Sequence, residues 1–378
     1  MEDNIEDYQE GEFIIPPEMA DTDGPINALP QQEKFWRLPT RFSGVSIEKE
    51  PMGWDRRRGF RKLFPVVYLP FQIVKRVSFG HPELEPDRLF WGDNLHVMRQ
   101  LPSESIDLIY IDPPFFSGRQ YSVIFGDQNE LRSFSDIWEG GMPGYLIWLN
   151  ARLYEMKRLL KKTGSICVHL DEHAAHYVKC ELDKVFGHDC YVNEVIWHYT
   201  GGGRSKTYFS NKHDTILWYR RGAAWTFNID AVRIPYKETS GYAKGGIVSS
   251  TGKKYMPHPD GTPADDVWDI PIINPLSHER IGYPTQKPEP LLERIILGLS
   301  QEKEVVADFF CGGGTTPAVA QRLGRRWIAC DQSRVAVAIT ADRLTRQAEE
   351  QTGKILPAFS APDFTIEYWG DTYDGEFA

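Results

Sequence analysis

Short continuous apolar runs recur along the chain between stretches in which apolar residues return every three or four positions, so strands interleaved with helices are predicted. Leu108-Ile109-Tyr110-Ile111 is the clearest run, with the pattern of a parallel strand covered on both faces. It stops at Asp112-Pro113-Pro114-Phe115, where two residues without an N–H end the ladder and leave nearby carbonyls free. Leu89-Phe90-Trp91-Gly92-Asp93-Asn94 also closes on a carboxylate, and Leu95, Met98 and Leu101 then mark one helical face. Tyr145, Leu146, Leu149, Leu153, Met156 and Leu160 predict an amphipathic helix that stops at Gly164, with 165–170 as the next buried strand. Residues 192–199 and 215–219 read as two more strands, joined by a glycine-rich basic loop at 201–206. Periodicity is poor over 221–280, the mark of an inserted module. Order returns with Leu291, Leu292, Ile295, Ile296 and Leu299 on one helical face after Pro288. Val305-Val306-Ala307-Asp308 then turns through Cys311-Gly312-Gly313-Gly314-Thr315 into a helix, and Trp327-Ile328-Ala329-Cys330-Asp331 is the strand after it.

Composition sets limits on this picture. With 378 residues, 41% of them hydrophobic, the chain can bury one large domain or two smaller ones. No run is long enough to span a membrane, and the first thirty residues lack the basic and apolar regions of an export signal. Five scattered cysteines without a C-x-x-C pair point to a reducing cytoplasm and away from a zinc site. The net charge of −10 is unevenly spread: residues 1–30 hold nine acids and no Lys or Arg, whereas 200–254 hold ten basic residues against three acids. The first stretch is expected to be a disordered acidic tail, and the second is a candidate footprint for a polyanion.

The strand ends carry the candidate chemistry. Asp112 is predicted at the carboxyl end of a buried strand, where open α/β sheets place ligands. Its carboxylate and a free carbonyl suit the N–H groups of a planar amine, and Phe115 can stack on the ring. Asp112 also fits a solvated turn residue, so the other motifs must decide. The glycine loop at 312–314 lets backbone approach a ligand closely. It is neither a dinucleotide fingerprint, since Pro317 stands where the third glycine should be, nor a P-loop. Asp331, about 20 residues on, is placed to hold ribose hydroxyls. His169, His173 and His176 have the spacing of metal ligands on a helix, yet read as surface or capping residues with no metal. Aromatic and basic residues interleave between Trp36 and Arg76, in an arm assigned no chemistry.

Taken together, Gly92-Asp93-Asn94, Asp112-Pro113-Pro114-Phe115, Tyr283-Pro284-Thr285-Gln286-Lys287-Pro288 and the glycine loop resemble the β-group amino-methyltransferases of DNA, from about Phe90 to Leu344. The catalytic motif precedes the cofactor loop, the permuted order of that family. Two departures are mild: Phe115 where Tyr is commoner, and Phe309 where Pro is usual. The resemblance implies a circularly permuted Rossmann-like S-adenosylmethionine-dependent methyltransferase sheet with helices on both faces, plus a basic target-recognition insertion and an N-terminal arm. With the composition and periodicity above, the chain divides into an acidic disordered tail at 1–33, the aromatic and basic arm at 34–80, which lies outside the match, a catalytic half at 81–220, the insertion at 221–280, a cofactor half at 281–350 and a C-terminal tail at 351–378.

The resemblance places Asp308, Phe310, Gly312, Gly314 and Thr315 along the methionine end of the cofactor, Lys287 at its carboxylate, Asp331 on the ribose and Asp93 on the adenine ring. Asp112, Pro113, Pro114 and Phe115 would orient the amino group of a flipped-out base, and Arg204, Lys206, Lys253 and Lys254 would contact double-stranded DNA. Asp at position 112 leans toward adenine N6 over cytosine N4, since Ser is commoner there in the family's cytosine members. An RNA or protein-glutamine methyltransferase and a catalytically silent DNA-binding subunit are the rival readings, and intact Asp112 and glycine loop weigh against the last. The resemblance also allows a cognate restriction nuclease and a homodimer as partners.

Overall fold

The computed structural model describes residues 63–80, 83–115, 141–201, 203–237, 239–274, 276–283, 285–352, 362–371 and 373. The acidic tail, the first part of the arm and the loop at 117–138 lie outside the described residues. Twelve strands are described: β1 (Phe71–Val77), β2 (Asp87–Trp91), β3 (Ile106–Ile111), β4 (Leu160–Leu170), β5 (Tyr191–His198), β6 (His213–Arg220), β7 (Ile247–Val248), β8 (Lys254–Tyr255), β9 (Val267–Asp269), β10 (Val305–Asp308), β11 (Arg326–Asp331) and β12 (Phe364–Trp369). The helices are α1 (Asn94–Gln100), α2 (Gly141–Leu159), α3 (Ala175–Phe186), the short α4 (Gly241–Gly245), α5 (Glu289–Leu299), α6 (Thr315–Arg322) and α7 (Arg334–Thr352). No helix among the described residues is long and apolar enough to cross a membrane.

Ten strands form one sheet in the order β1-β12-β2-β11-β10-β3-β4-β6-β5-β9, and β7 and β8 make a separate ribbon. The strands from β12 through β4 run parallel, whereas β1 and β6 are antiparallel to their neighbours. Along β3 the side chains alternate between two cores, as a strand period of two requires. Leu108 and Tyr110 pack with Leu291, Ile295, Val319 and Val337 from α5, α6 and α7. Ile109 and Ile111 pack with Leu95, Leu149, Leu153 and Leu182 from α1, α2 and α3. Both faces are therefore covered, which is why β3 reads as an unbroken apolar run.

Chain progression reverses direction between β10 and β3, because β3 to β4 steps one way across the sheet and β10 to β11 the other. The carboxyl ends of these paired strands carry Asp308, level with Tyr110, and Asp112 two residues beyond it, at the switch point where such sheets bind ligands.

Three expectations need correction. The helix expected to stop at Gly164 ends at Leu159, and β4 begins at Leu160. Gly164 lies within β4, where a Cβ would come to 2.9 Å from the carbonyl oxygen of Asp107 and 3.1 Å from that of Ile106, so its glycine serves close backbone approach. The region taken as a C-terminal tail supplies β12, whose Phe364 and Ile366 are fully buried between β1 and β2. The poorly periodic insertion likewise returns to the sheet as β9, with Trp268 and Ile270 in the core.

Candidate active site

Asp112 emerges directly from β3, and its two oxygens have different surroundings. Oδ2 accepts from the ammonium of Lys287, while Oδ1 is buried and has no hydrogen-bond partner among the described residues. A buried acceptor left open is costly unless something completes it, and here it lies where an amine substrate is expected. The Lys287 nitrogen also sits 5.1 Å from the centre of the Phe115 ring. Lys287 is thus engaged with the Asp112 turn.

Beside Phe115 runs a buried polar chain that sequence reading missed. Tyr110 Oη and His169 Nδ1 are 2.7 Å apart, His169 Nε2 and Asp214 Oδ2 are 3.1 Å apart, and the Tyr199 hydroxyl donates to Asp214 Oδ1 at 3.1 Å. His169 is fully buried, 5.9 Å from the Phe115 ring centre, and is neither a surface nor a capping histidine. Burial pushes Asp214 up, but its hydrogen bond and charge interaction with His169, together with Lys287 and Tyr199, hold it below the usual carboxylate range. A cavity of about 570 Å³ opens alongside, lined among others by Phe115, Tyr199, Arg204, Tyr208 and Asp214.

The glycine loop joins β10 to α6. Asp308 is buried at its start, accepting from Phe310 N at 2.9 Å and from the Thr316 hydroxyl at 2.5 Å. Burial raises its acid to about 7 despite those donors. Asp331, half-buried at the end of β11, accepts from Gly312 N and Ser333 N, each at 2.9 Å. Gly312 and Gly314 adopt φ of +49° and +72°, a region that favours glycine. Thr315 is buried, its hydroxyl donating to the Lys287 carbonyl at 3.1 Å and accepting from Arg343 at 3.0 Å. Arg343 also donates to the Gly313 carbonyl, so α7 braces the loop.

Asp93 is turned inward, away from the cofactor role expected of it. It caps α1 by accepting from Leu95 N at 2.8 Å, and pairs with Arg152 at 3.1 Å. Arg152 in turn donates to Asn94 Oδ1, whose amide donates to the Phe309 carbonyl at 2.8 Å. This network ties the start of α1 to the end of β10. The signal was legible: Arg152 is a charge within the apolar stripe formed by Leu149, Leu153 and Met156. Burial pulls its guanidinium down to about 10, with Asp93 opposing. Arg152→Met would strand the Asp93 carboxylate and is expected to lower stability by about 3–5 kcal/mol in denaturant melts. A loss below about 1 kcal/mol would show the pair to be dispensable.

Of the DNA contacts expected, Arg204 lines the cavity and Lys206 is exposed on the same loop. Lys253 and Lys254 lie at the exposed β7–β8 ribbon, a separate element.

These features define an open, doubly covered α/β protein with a glycine loop beside the Asp112–Phe115 turn. A family model described as a DNA methylase, covering the N6 and N4 enzymes, matches residues 106–342, and the chain belongs to that family. It is 31% identical over 265 residues to the Type II methyltransferase M.HinfI of Haemophilus influenzae, covering 67% of each chain. It is 28% identical over 284 residues to the DNA adenine methyltransferase YhdJ of Escherichia coli (strain K12), covering 72% of this chain and 90% of that one. The solved PvuII DNA methyltransferase, cytosine-N4-specific, shares the fold at 17% identity with a TM-score of 0.51, over 75% of this chain and 94% of its own.

Proposed function

We propose that the chain transfers a methyl group from S-adenosylmethionine to N6 of an adenine flipped out of double-stranded DNA. The observation that carries this is the open buried oxygen of Asp112, at the end of β3 beside Phe115. The cofactor, when bound, supplies a methyl group carried on a positively charged sulfur.

The residues present fit such a group. Asp331 offers a half-buried carboxylate at the end of β11, 19 positions beyond Gly312, the place from which an acid reaches ribose hydroxyls. Phe310 is half-buried and steadied by Trp148, with ring centres 5.7 Å apart. Asp308 and Thr315, both buried, act by shaping the loop.

Asp112 Oδ1 and the Pro113 carbonyl accept the two N–H groups of the substrate amine. That turns its lone pair out of conjugation and fixes the direction of attack. As the N–C bond forms, the methyl–sulfur bond would break to leave a neutral thioether, positive charge would develop on nitrogen beside the Asp112 carboxylate, and one N–H proton would then pass to water. Pro113 and Pro114 hold the turn in shape, and Phe115 stacks on the base. Extrusion of the base is supported by the cavity and by the exposed loop that carries Arg204, Lys206, Tyr208 and Phe209, the last two 70% and 100% exposed. Lys253 and Lys254 extend the basic surface to which phosphates are drawn.

Adenine is chosen over cytosine because position 112 is Asp and because YhdJ is an adenine methyltransferase. Nucleoside mass spectrometry of DNA incubated with the protein and S-adenosylmethionine is expected to reveal N6-methyladenine. N4-methylcytosine in its place would overturn the choice of base.

A further inference from the structure

Lys287 is held at both its ends. Its backbone carbonyl accepts from the Thr315 hydroxyl at 3.1 Å, and Arg343 fastens that hydroxyl, the Gly313 carbonyl and Glu289 together. Its ammonium pairs with Asp112 Oδ2 and lies 5.1 Å from the centre of the Phe115 ring. Both partners of the ion pair are largely shielded, with side-chain exposures of 12% and 16%. A single residue therefore bolts the glycine loop to both functional members of the Asp112–Phe115 turn.

We propose that Lys287 is a positioning residue for the substrate amine. By occupying Oδ2 it fixes the carboxylate plane, so that Oδ1 alone is left to the substrate, and its charge steadies the ring on which the base stacks. The anchored carbonyl passes the position of the cofactor loop to the catalytic acid through one rigid segment. This rests on reading Asp112 as the amine acceptor. It differs from the sequence-level expectation, in which Lys287 holds the cofactor carboxylate.

The two roles separate in kinetics. Lys287→Met removes the ammonium and keeps the stem. With the full chain, its single-turnover methylation rate at saturating cofactor and DNA should fall about 100-fold, as expected when an oriented group swings free. Cofactor affinity by calorimetry and DNA affinity by anisotropy should stay within about threefold. Lys287→Arg, which can still pair with a carboxylate, should recover the rate to within about tenfold of the parent. A merely structural role would not produce this split or this rescue. A large loss of cofactor affinity with the saturated rate kept would overturn the proposal in favour of cofactor binding. Should Lys287→Met fail to fold, Lys287→Gln reads the same split. Absence of methylation by the unmodified chain would instead count against the proposed function itself.

Discussion

Asp112→Ala is expected to lower the methylation rate by about 100- to 1000-fold while S-adenosylmethionine still binds. The size follows from what the side chain does. Oδ1 is buried and open, in the proposed mechanism the acceptor that orients the amine, and a preorganised acceptor facing developing charge contributes on that scale. The cofactor should be spared, because the cradle proposed for it is built from β10, β11 and the loop between β10 and α6. The substitution also leaves Lys287 without its carboxylate, so Asp112→Asn is the companion variant that keeps the shape of the turn. It should retain a folded protein and full cofactor affinity, yet methylate slowly, because an amide offers one acceptor oxygen and its NH₂ repels the substrate's N–H groups. Labelled-methyl transfer in single-turnover format, with calorimetry for the cofactor, reads both effects. Turnover kept by Asp112→Ala would remove this residue from the mechanism.

The sequence made the centre of the fold legible, because strands covered on both faces leave unbroken apolar runs. β3, β10 and β11 were all readable, and so was the carboxylate at the end of each. The edges were less readable. β12 follows a weakly patterned stretch and pairs with β2 and β1, strands far away in the sequence, so only tertiary pairing reveals it. Gly164 was misread because a glycine after a helical stripe and a glycine beneath a neighbouring backbone look alike in one dimension.

At the site, residue types were easier to read than directions. Asp93 and Asp331 both close strands, yet Asp331 stays half-buried at the cradle while Asp93 folds inward onto Arg152. The choice between those outcomes depends on a cation 59 positions away, which no local pattern encodes. His169 and Asp214 were hidden for the same reason: the partner of each lies on another strand.

Gly314→Val is expected to raise the dissociation constant for S-adenosylmethionine about 100-fold, and two separate costs lead there. Gly314 has φ of +72°, which a β-branched residue resists by about 1–3 kcal/mol. A Cβ at this position would also lie 2.6 Å from both Cγ2 and Oγ1 of Thr340, a fully buried residue on α7. Thr340 cannot simply yield, since its hydroxyl donates to the Gly312 carbonyl at 3.0 Å and fixes the loop from beneath. Relief must then come from the loop itself, whose Gly312 amide is the group tied to Asp331. The loop and Asp331, the proposed ribose acid, are thereby displaced together, and about 1.4 kcal/mol is lost for each tenfold in affinity. Adding Thr340→Ala removes the two closest atoms but leaves the φ penalty and a Cβ at 2.9 Å, and it gives up the hydroxyl's bond to Gly312, so the double variant, compared with Thr340→Ala alone, should recover part of the affinity and not all of it. Calorimetry on both variants separates the two costs. Unchanged affinity in Gly314→Val would mean that the loop at 312–314 does not hold the cofactor.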